Sequence, residues 1–167
     1  MLDGIRTLDR RFQLAALDEQ RTVVANKLRG LSREQSVAVV MPSGTTLLGL
    51  LRHLTLVERE WFQLIVAGRD VDIPYDEPEQ AGGVDPWFVV ADDDTPASIL
   101  ADYEEACDES RRIVDALDFA DVSAGAHPYF GRCQVGWVVL HMIRETARHA
   151  GHADILREQT DGATGYM

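Results

Sequence analysis

Gly136-Trp-Val-Val-Leu-His141-Met-Ile-Arg-Glu145-Thr-Ala-Arg-His149-Ala-Gly-His152-Ala-Asp-Ile-Leu-Arg157-Glu158 is the stretch that decides how this chain is read. It contains no proline, and its apolar residues recur every three to four positions, the period of a helix laid on a core. At about 100° per residue, His141, Glu145, His149 and His152 fall within roughly 80° of one another, in an arc shared by Val138 and Leu156. The apolar positions Val135, Val138, Val139, Met142, Ala150, Ala153 and Leu156 centre about 30° from His149 and about 70° from Glu145. His152 and His141 lie about 90° and 110° from that centre. His149 is thus the most inward of the four and Glu145 the next, while Arg144 and Arg148 face solvent. A lone carboxylate on a core-facing stripe is costly to bury. A bound cation would supply the compensation.

Three more helical patterns lie upstream. The first runs from about Asp9 to Arg29 and stops at Gly30. The second starts near Thr45 or Thr46, runs to about Ala67 and stops at Gly68. The third opens on Thr95-Pro96, a hydroxyl cap followed by proline in the first turn, and continues to about Leu117. The quoted helix itself spans about Cys133 to Gln159 and ends at Asp161-Gly162. Ser32-Arg-Glu-Gln35 has the spacing of a capping box and predicts a short turn. Val37-Ala-Val-Val-Met41 reads as a strand, cut short by Pro42-Ser-Gly44. Four amphipathic helices predict an all-α four-helix bundle, one domain over residues 1–167. The connection from Arg69 to Asp94 is long and rich in Asp, Pro and Gly, which permits a crossover. Its Trp87-Phe88 predicts docking onto the body near the open end of the bundle, as a lid. A shorter loop, Asp118 to Arg132, carries His127-Pro-Tyr-Phe130.

Composition narrows the function classes. The 167 residues carry a net charge of −12, with a pI near 4.7. No Lys/Arg cluster is dense enough to track a phosphate backbone, which disfavours nucleic acid as a partner. No apolar run reaches membrane-spanning length, and the polar N-terminus does not read as a signal peptide. Cys107 and Cys133 give no disulfide framework and read as reduced, buried thiols of a cytoplasmic protein.

The second helix contributes His53, on the shoulder of a broad apolar face. A catalytic divalent ion usually takes three protein ligands and leaves one position open. A Glu and a His four residues apart sit one turn apart on one face, so both reach one ion. The third ligand must come from another helix, where His53 is the inward histidine at hand. Inward Glu and His side chains on facing helices are how bundles hold metals. Glu58, at about 140° from His53, falls inside the same apolar face and reads as a partner that orients a ligand histidine. The plainer reading for each histidine is a satisfied core or rim residue, and for Glu58 a carboxylate reaching out to the rim.

Thr46-Leu-Leu-Gly-Leu-Leu-Arg-His53-Leu-Thr-Leu-Val-Glu58-Arg-Glu-Trp61-Phe62 resembles the second-helix signature of DinB-like proteins. The run from Gly136 to Glu158, with Thr160-Asp-Gly-Ala-Thr-Gly165 after it, resembles the last helix of their actinobacterial branch. Many members of the superfamily use three histidines. Glu145 in place of the first of the last pair matches the N-terminal metal-binding domain of mycothiol-dependent maleylpyruvate isomerase, whose triad is His, Glu, His. The resemblance implies His53, Glu145 and His149 as ligands of a divalent metal in a four-helix bundle. It places His152 where many relatives have glutamine, beside the ligands rather than among them. It further implies a transferase that uses a low-molecular-weight thiol such as mycothiol.

The leading expectation is therefore a metal-dependent enzyme that activates a small thiol for attack on a small electrophile. Two neutral imidazoles and one carboxylate leave a divalent ion with a formal charge of +1, and a thiolate makes the centre neutral, which suits a pocket of low dielectric. Zinc, nickel or iron would suit such a site. A non-catalytic metal- or ligand-binding bundle and a metal-dependent hydrolase are the rival classes. A homodimer is compatible with all three, and the residues that would act catalytically beyond the ligands are left open.

Overall fold

The computed structural model describes residues 9–75 and 85–165. The polar N-terminal residues 1–8 and the middle of the long connection, 76–84, lie outside them, as do 166–167. Helix α1 spans Arg10–Leu28, with the Asp9 carboxylate accepting from the Phe12 amide at 2.8 Å. A single turn, α2, follows at Arg33–Ser36. Ser32 and Gln35 close a reciprocal capping box around it, as their spacing predicts. Helix α3 covers Leu47–Glu58 behind the Thr46 cap, and the chain passes without a break into a π-helical stretch, Arg59–Val66. The 3₁₀ turn Pro86–Phe88 leads to α4, Pro96–Asp115, which opens on a Thr95–Ser98 capping box. Helix α5 runs Val135–Asp161 and ends where Gly162 adopts φ 76°, a conformation that favours glycine.

Among the described residues there is no strand, only two isolated bridges in the α4–α5 loop. The strand expected at Val37–Met41 is not formed. Among the described residues no segment pairs with it in a hydrogen-bond ladder, without which a strand is not stable. Instead Val37, Val40 and Met41 pack on the helices, and Val39 points into solvent.

The four long segments form an all-α bundle in which α1 lies along α5 and α4 along α3. Helices α3 and α5 run antiparallel: His53 meets His149, while Trp61 meets His141 and Trp137. The core has two parts. One gathers Val24, Leu28, Leu48, Leu51, Leu54, Tyr103, Ala153 and Leu156. The other gathers Leu17, Val57, Phe62, Ile65, Val138, Val139 and Met142. Each fully buried leucine or valine contributes about 1.5–3 kcal/mol. The changeover between the two clusters falls at residues 54–57 on α3 and 142–150 on α5, and that is the level of His53, Glu145 and His149.

The two loops are tied to the bundle through polar contacts. Arg33 of α2 donates to the Asp94 and Ala91 carbonyls at 2.9 and 3.2 Å, pinning the end of the long connection. The amides of Ala124 and Gly125 donate to the Val66 and Ile65 carbonyls, satisfying acceptors that the end of a helix leaves open.

Candidate metal centre

His53 lies on α3 and Glu145 and His149 lie one turn apart on α5, so the antiparallel packing brings them face to face. Their ligand-type atoms all lie within 4.8 Å of one another. His149 Nε2 is 2.9 Å from Glu145 Oε1, and His53 Nε2 is 3.7 Å from the same oxygen. The His53 and His149 rings stand 4.7 Å apart, edge to face. Both ring nitrogens of His53 and Nδ1 of His149 are buried without a hydrogen-bond partner. Leaving a buried polar group unpaired costs about 1–3 kcal/mol. A divalent cation accepts lone pairs from imidazole and carboxylate at about 2.0–2.2 Å, so the donor set fits one after a modest inward rotation of the side chains.

The charges suit the same role. Burial pushes the His53 imidazole below its ordinary value, so it is held neutral with a lone pair to give. The imidazoles of His149 and His53 hold the Glu145 carboxyl far below the usual carboxylate range, more than burial raises it. The triad thus offers one fixed negative charge and a neutral nitrogen donor beside it.

Trp87 and Phe88 dock against the triad. Phe88 stacks on His53 at 4.3 Å between ring centres, nearly parallel, and Trp87 sits at 5.9 Å. Gly49 makes this approach possible: a Cβ there would stand 2.5 Å from the Phe88 carbonyl oxygen. The surroundings of the triad differ toward the two ends of α3. Toward the start of α3, Met41, Ser43, Thr45, His152, Ile155 and Leu156 line a mostly apolar cavity of about 280 Å³. Toward the end of α3, Trp61, His141, Trp137 and Phe130 gather with His127.

The other residues singled out from the sequence divide. His152 is exposed, and its ring lies 5.4 Å from that of His149. His141 is the better buried of the two, the reverse of their order on the helical wheel, because the Trp61 and Trp137 rings cover it. Glu58 does not turn to a histidine or to the rim. It is 1% exposed and takes a two-pronged contact from the Arg21 guanidinium of α1, at 2.8 and 2.6 Å.

Among the described residues, the acid of this helix that does share His53's side is Glu60, a residue not singled out from the sequence. Seven positions on, it lies about 20° from His53 on an α-helical wheel, and the same count that singled out Glu58 would have found it. Glu60 is buried, accepts from the Tyr75 hydroxyl, and stands 3.4 Å from His127 Nε2.

A family model for mycothiol S-transferases matches residues 13–162, nearly the whole chain. The chain belongs to the mycothiol S-transferase family, a DinB-like family. No curated protein matches it in sequence. In fold it is similar to the crystal structure of a conserved protein of Enterococcus faecalis, with a TM-score of 0.62 over 95% of this chain and 100% of that one, at 13% identity. The bundle expected from the helical periods is thus shared with a solved structure. Family membership makes a mycothiol S-transferase-like function the natural frame for the triad, and a thiol and an electrophile its natural substrates. No helix among the described residues is long and apolar enough to cross a membrane.

Proposed function

We propose that the protein is a metal-dependent transferase that activates a low-molecular-weight thiol, mycothiol or a close analogue, for attack on a small electrophile. The observation that carries this reading is the meeting of His53, Glu145 and His149 around unpartnered buried nitrogens, in a chain of the mycothiol S-transferase family. In this reading His53, Glu145 and His149 hold zinc, nickel or iron, and residues 1–167 are one bundle domain of a cytoplasmic protein.

A divalent ion held there would keep a thiol deprotonated at neutral pH, where a free thiol with a pKa near 8.5 is only a few per cent thiolate. The residues do the rest. Glu145 supplies the negative charge that keeps the centre close to neutral once a thiolate has entered. His53 and His149 present ring nitrogens from two helices and so fix the centre between them. Phe88 and Trp87 exclude water from the His53 side. The sulfur forms its bond to the electrophilic carbon, a leaving group departs with the bonding pair, and the thiol's proton passes to solvent. Cys107 and Cys133 take no part: both are buried thiols that burial pushes above the ordinary range.

Calorimetry of mycothiol binding in buffers of differing ionisation enthalpy tests the reading, with release of about one proton per thiol expected for the metal-loaded protein. Binding of metal without any thiol, whether mycothiol or bacillithiol, would leave a metal-binding bundle. Turnover of an ester or amide without thiol would leave a hydrolase.

A further inference from the structure

Past His149, toward the C-terminal end of α5, lies a cavity that the triad does not use. About 280 Å³ in volume, it is lined by Met41, Ser43, Thr45, His152, Ile155 and Leu156. Both helices place it over the stripe that holds the triad. On α5, Leu156 lies about 20° from His149 and about 10 Å further along. On α3, Thr46, the neighbour of Thr45, lies about 20° from His53 and about 10 Å before it. His152 is the shared wall: it lines the cavity, and its ring lies 5.4 Å from that of His149. The opposite wall comes from segment 41–45. There the Gly44 amide donates to the Met41 carbonyl at 3.1 Å, closing a turn with Gly44 at φ 76°, and the turn sets Met41, Ser43 and Thr45 against α5. Among the described residues no Lys, Arg, Asp or Glu lines the cavity. The charges that flank Ile155 and Leu156 in sequence are taken up elsewhere: Lys27 meets Asp154 at 2.6 Å, and Arg157 reaches Asp161 and the Lys27 and Arg29 carbonyls.

We infer that this cavity is the subsite for the electrophile, and that it takes an uncharged, largely apolar molecule of the size of a substituted aromatic ring. The size follows from the volume, since an apolar cavity of about 150 Å³ already takes benzene. The class follows from the lining. Met41, Ile155 and Leu156 give apolar contact, whereas a carboxylate seated there would lose water and meet no cation, which is costly. A carbonyl or nitro oxygen on the ring has a donor at hand. The Ser43 and Thr45 hydroxyls lie 3.2 Å apart and use one proton between them, which leaves the other for a ligand. A few such polar groups in an apolar lining are what orient a small molecule. With the body of the molecule held there, its reactive carbon lies past His152, on the side of the triad. That the occupant is the electrophile rests on the transferase reading; that the cavity takes an uncharged apolar ring does not.

The test uses the full-length protein and two unreactive probes of one shape, acetophenone and benzoate, which differ in charge. In NMR titrations acetophenone should bind the wild type and shift the Met41 methyl and His152 ring resonances, and benzoate should bind more weakly by about tenfold or more. Ile155 is 49% exposed, so Ile155→Ala should keep the fold and the melting temperature. It removes three carbons, about half covered, and should weaken acetophenone about tenfold. No binding by the wild type, equal binding of benzoate, shifts confined to other residues, or undiminished binding by Ile155→Ala would each overturn the subsite. Turnover of mycothiol with 1-chloro-2,4-dinitrobenzene carries the second arm. There the sulfur–carbon bond forms, chloride leaves with the carbon–chlorine pair, and the thiol's proton passes to solvent. Ile155→Ala should raise KM for the aryl chloride about tenfold and leave KM for mycothiol unchanged. Acetophenone binding as described, with no transfer from any thiol, would sink the transferase reading and keep the cavity as a site for apolar rings. Turnover with KM for the aryl chloride unmoved in Ile155→Ala would sink the subsite and keep the transferase.

Discussion

Glu58 and Glu145 are both carboxylates drawn into the bundle, and their surroundings are opposite in kind. Glu58 is closed off by a cation of the protein: Arg21 reaches across from α1, engages both oxygens and also bridges to Asp18. Its charge is answered and its lone pairs are used. Glu145 is met by two imidazoles, one of them uncharged by burial, with three ring nitrogens around it unpaired. A buried pair that is complete is part of the scaffold, whereas a buried cluster with donors to spare is waiting for a ligand. The comparison separates two residues that looked alike in the sequence, each an acid inside an apolar arc.

The sharpest way to break the comparison is to remove each acid in metal-free protein. Glu58→Ala strands Arg21 in the core and should cost about 3–5 kcal/mol, the penalty for an uncompensated buried charge. Glu145→Ala strands no charge in the core, since Glu145 is partly exposed, and should cost no more than about 1 kcal/mol, as for partly exposed pairs. Chemical denaturation measures both, and equal losses would end the distinction. Adding metal should reverse the ranking of importance. At a free zinc concentration a hundredfold above its dissociation constant, the wild type should gain about 2.7 kcal/mol, and Glu145→Ala and His149→Ala should gain nothing. An unchanged gain in either variant would remove that residue from the ligand set.

A smaller effect is expected where the lid crosses α3. Gly49→Ala places a methyl against the Phe88 carbonyl and should cost about 1–3 kcal/mol, typical of overpacking. It should also alter Trp87 fluorescence in a Trp61→Phe, Trp137→Phe background, while the metal stays bound. Unaltered emission would mean that Phe88 and Trp87 are not held in place at Gly49.

Glu60 supplies a third kind of buried acid, partnered by neutral donors, and its signature is a pH dependence. Burial pushes its carboxyl above the ordinary value near 4.5, against the opposing hydrogen bond from Tyr75, and the charge of Glu145 adds to the rise. His127, the other titratable group against it, is itself pushed toward the neutral form by burial. A folded-state pKa above the unfolded one means stability is greatest below the ordinary value and declines as pH rises through the raised one. Glu60→Gln cannot titrate, so its stability relative to wild type should climb with pH across that window. A flat difference in urea denaturation between pH 4 and pH 7 would contradict this. The least effect belongs to the thiols: Cys107→Ser with Cys133→Ser should leave transferase turnover at the wild-type rate.

Much of this was legible from local pattern. Ser32 and Thr95 announced their helix starts because a capping side chain acts on an amide two or three residues away. His149 and Glu145 were found by phase alone, since a helix fixes direction. Contacts between distant segments were not legible. Arg21 is 37 positions from Glu58, so nothing in the period of α3 revealed its partner. The burial of His141 depends on Trp61, which another helix carries. The π-helical stretch after Glu58 left no mark on the apolar pattern. Glu60 was legible by the same helical count, seven positions from His53, behind Glu58 in the arc.

Elemental analysis of untagged protein, wild type beside single variants, tests the central claim most directly. The account predicts close to one divalent metal per chain in the wild type and in His141→Ala, and almost none in His53→Ala, Glu145→Ala or His149→Ala, with all four variants folded by circular dichroism. Metal retained in Glu145→Ala, or lost in His141→Ala, would contradict it.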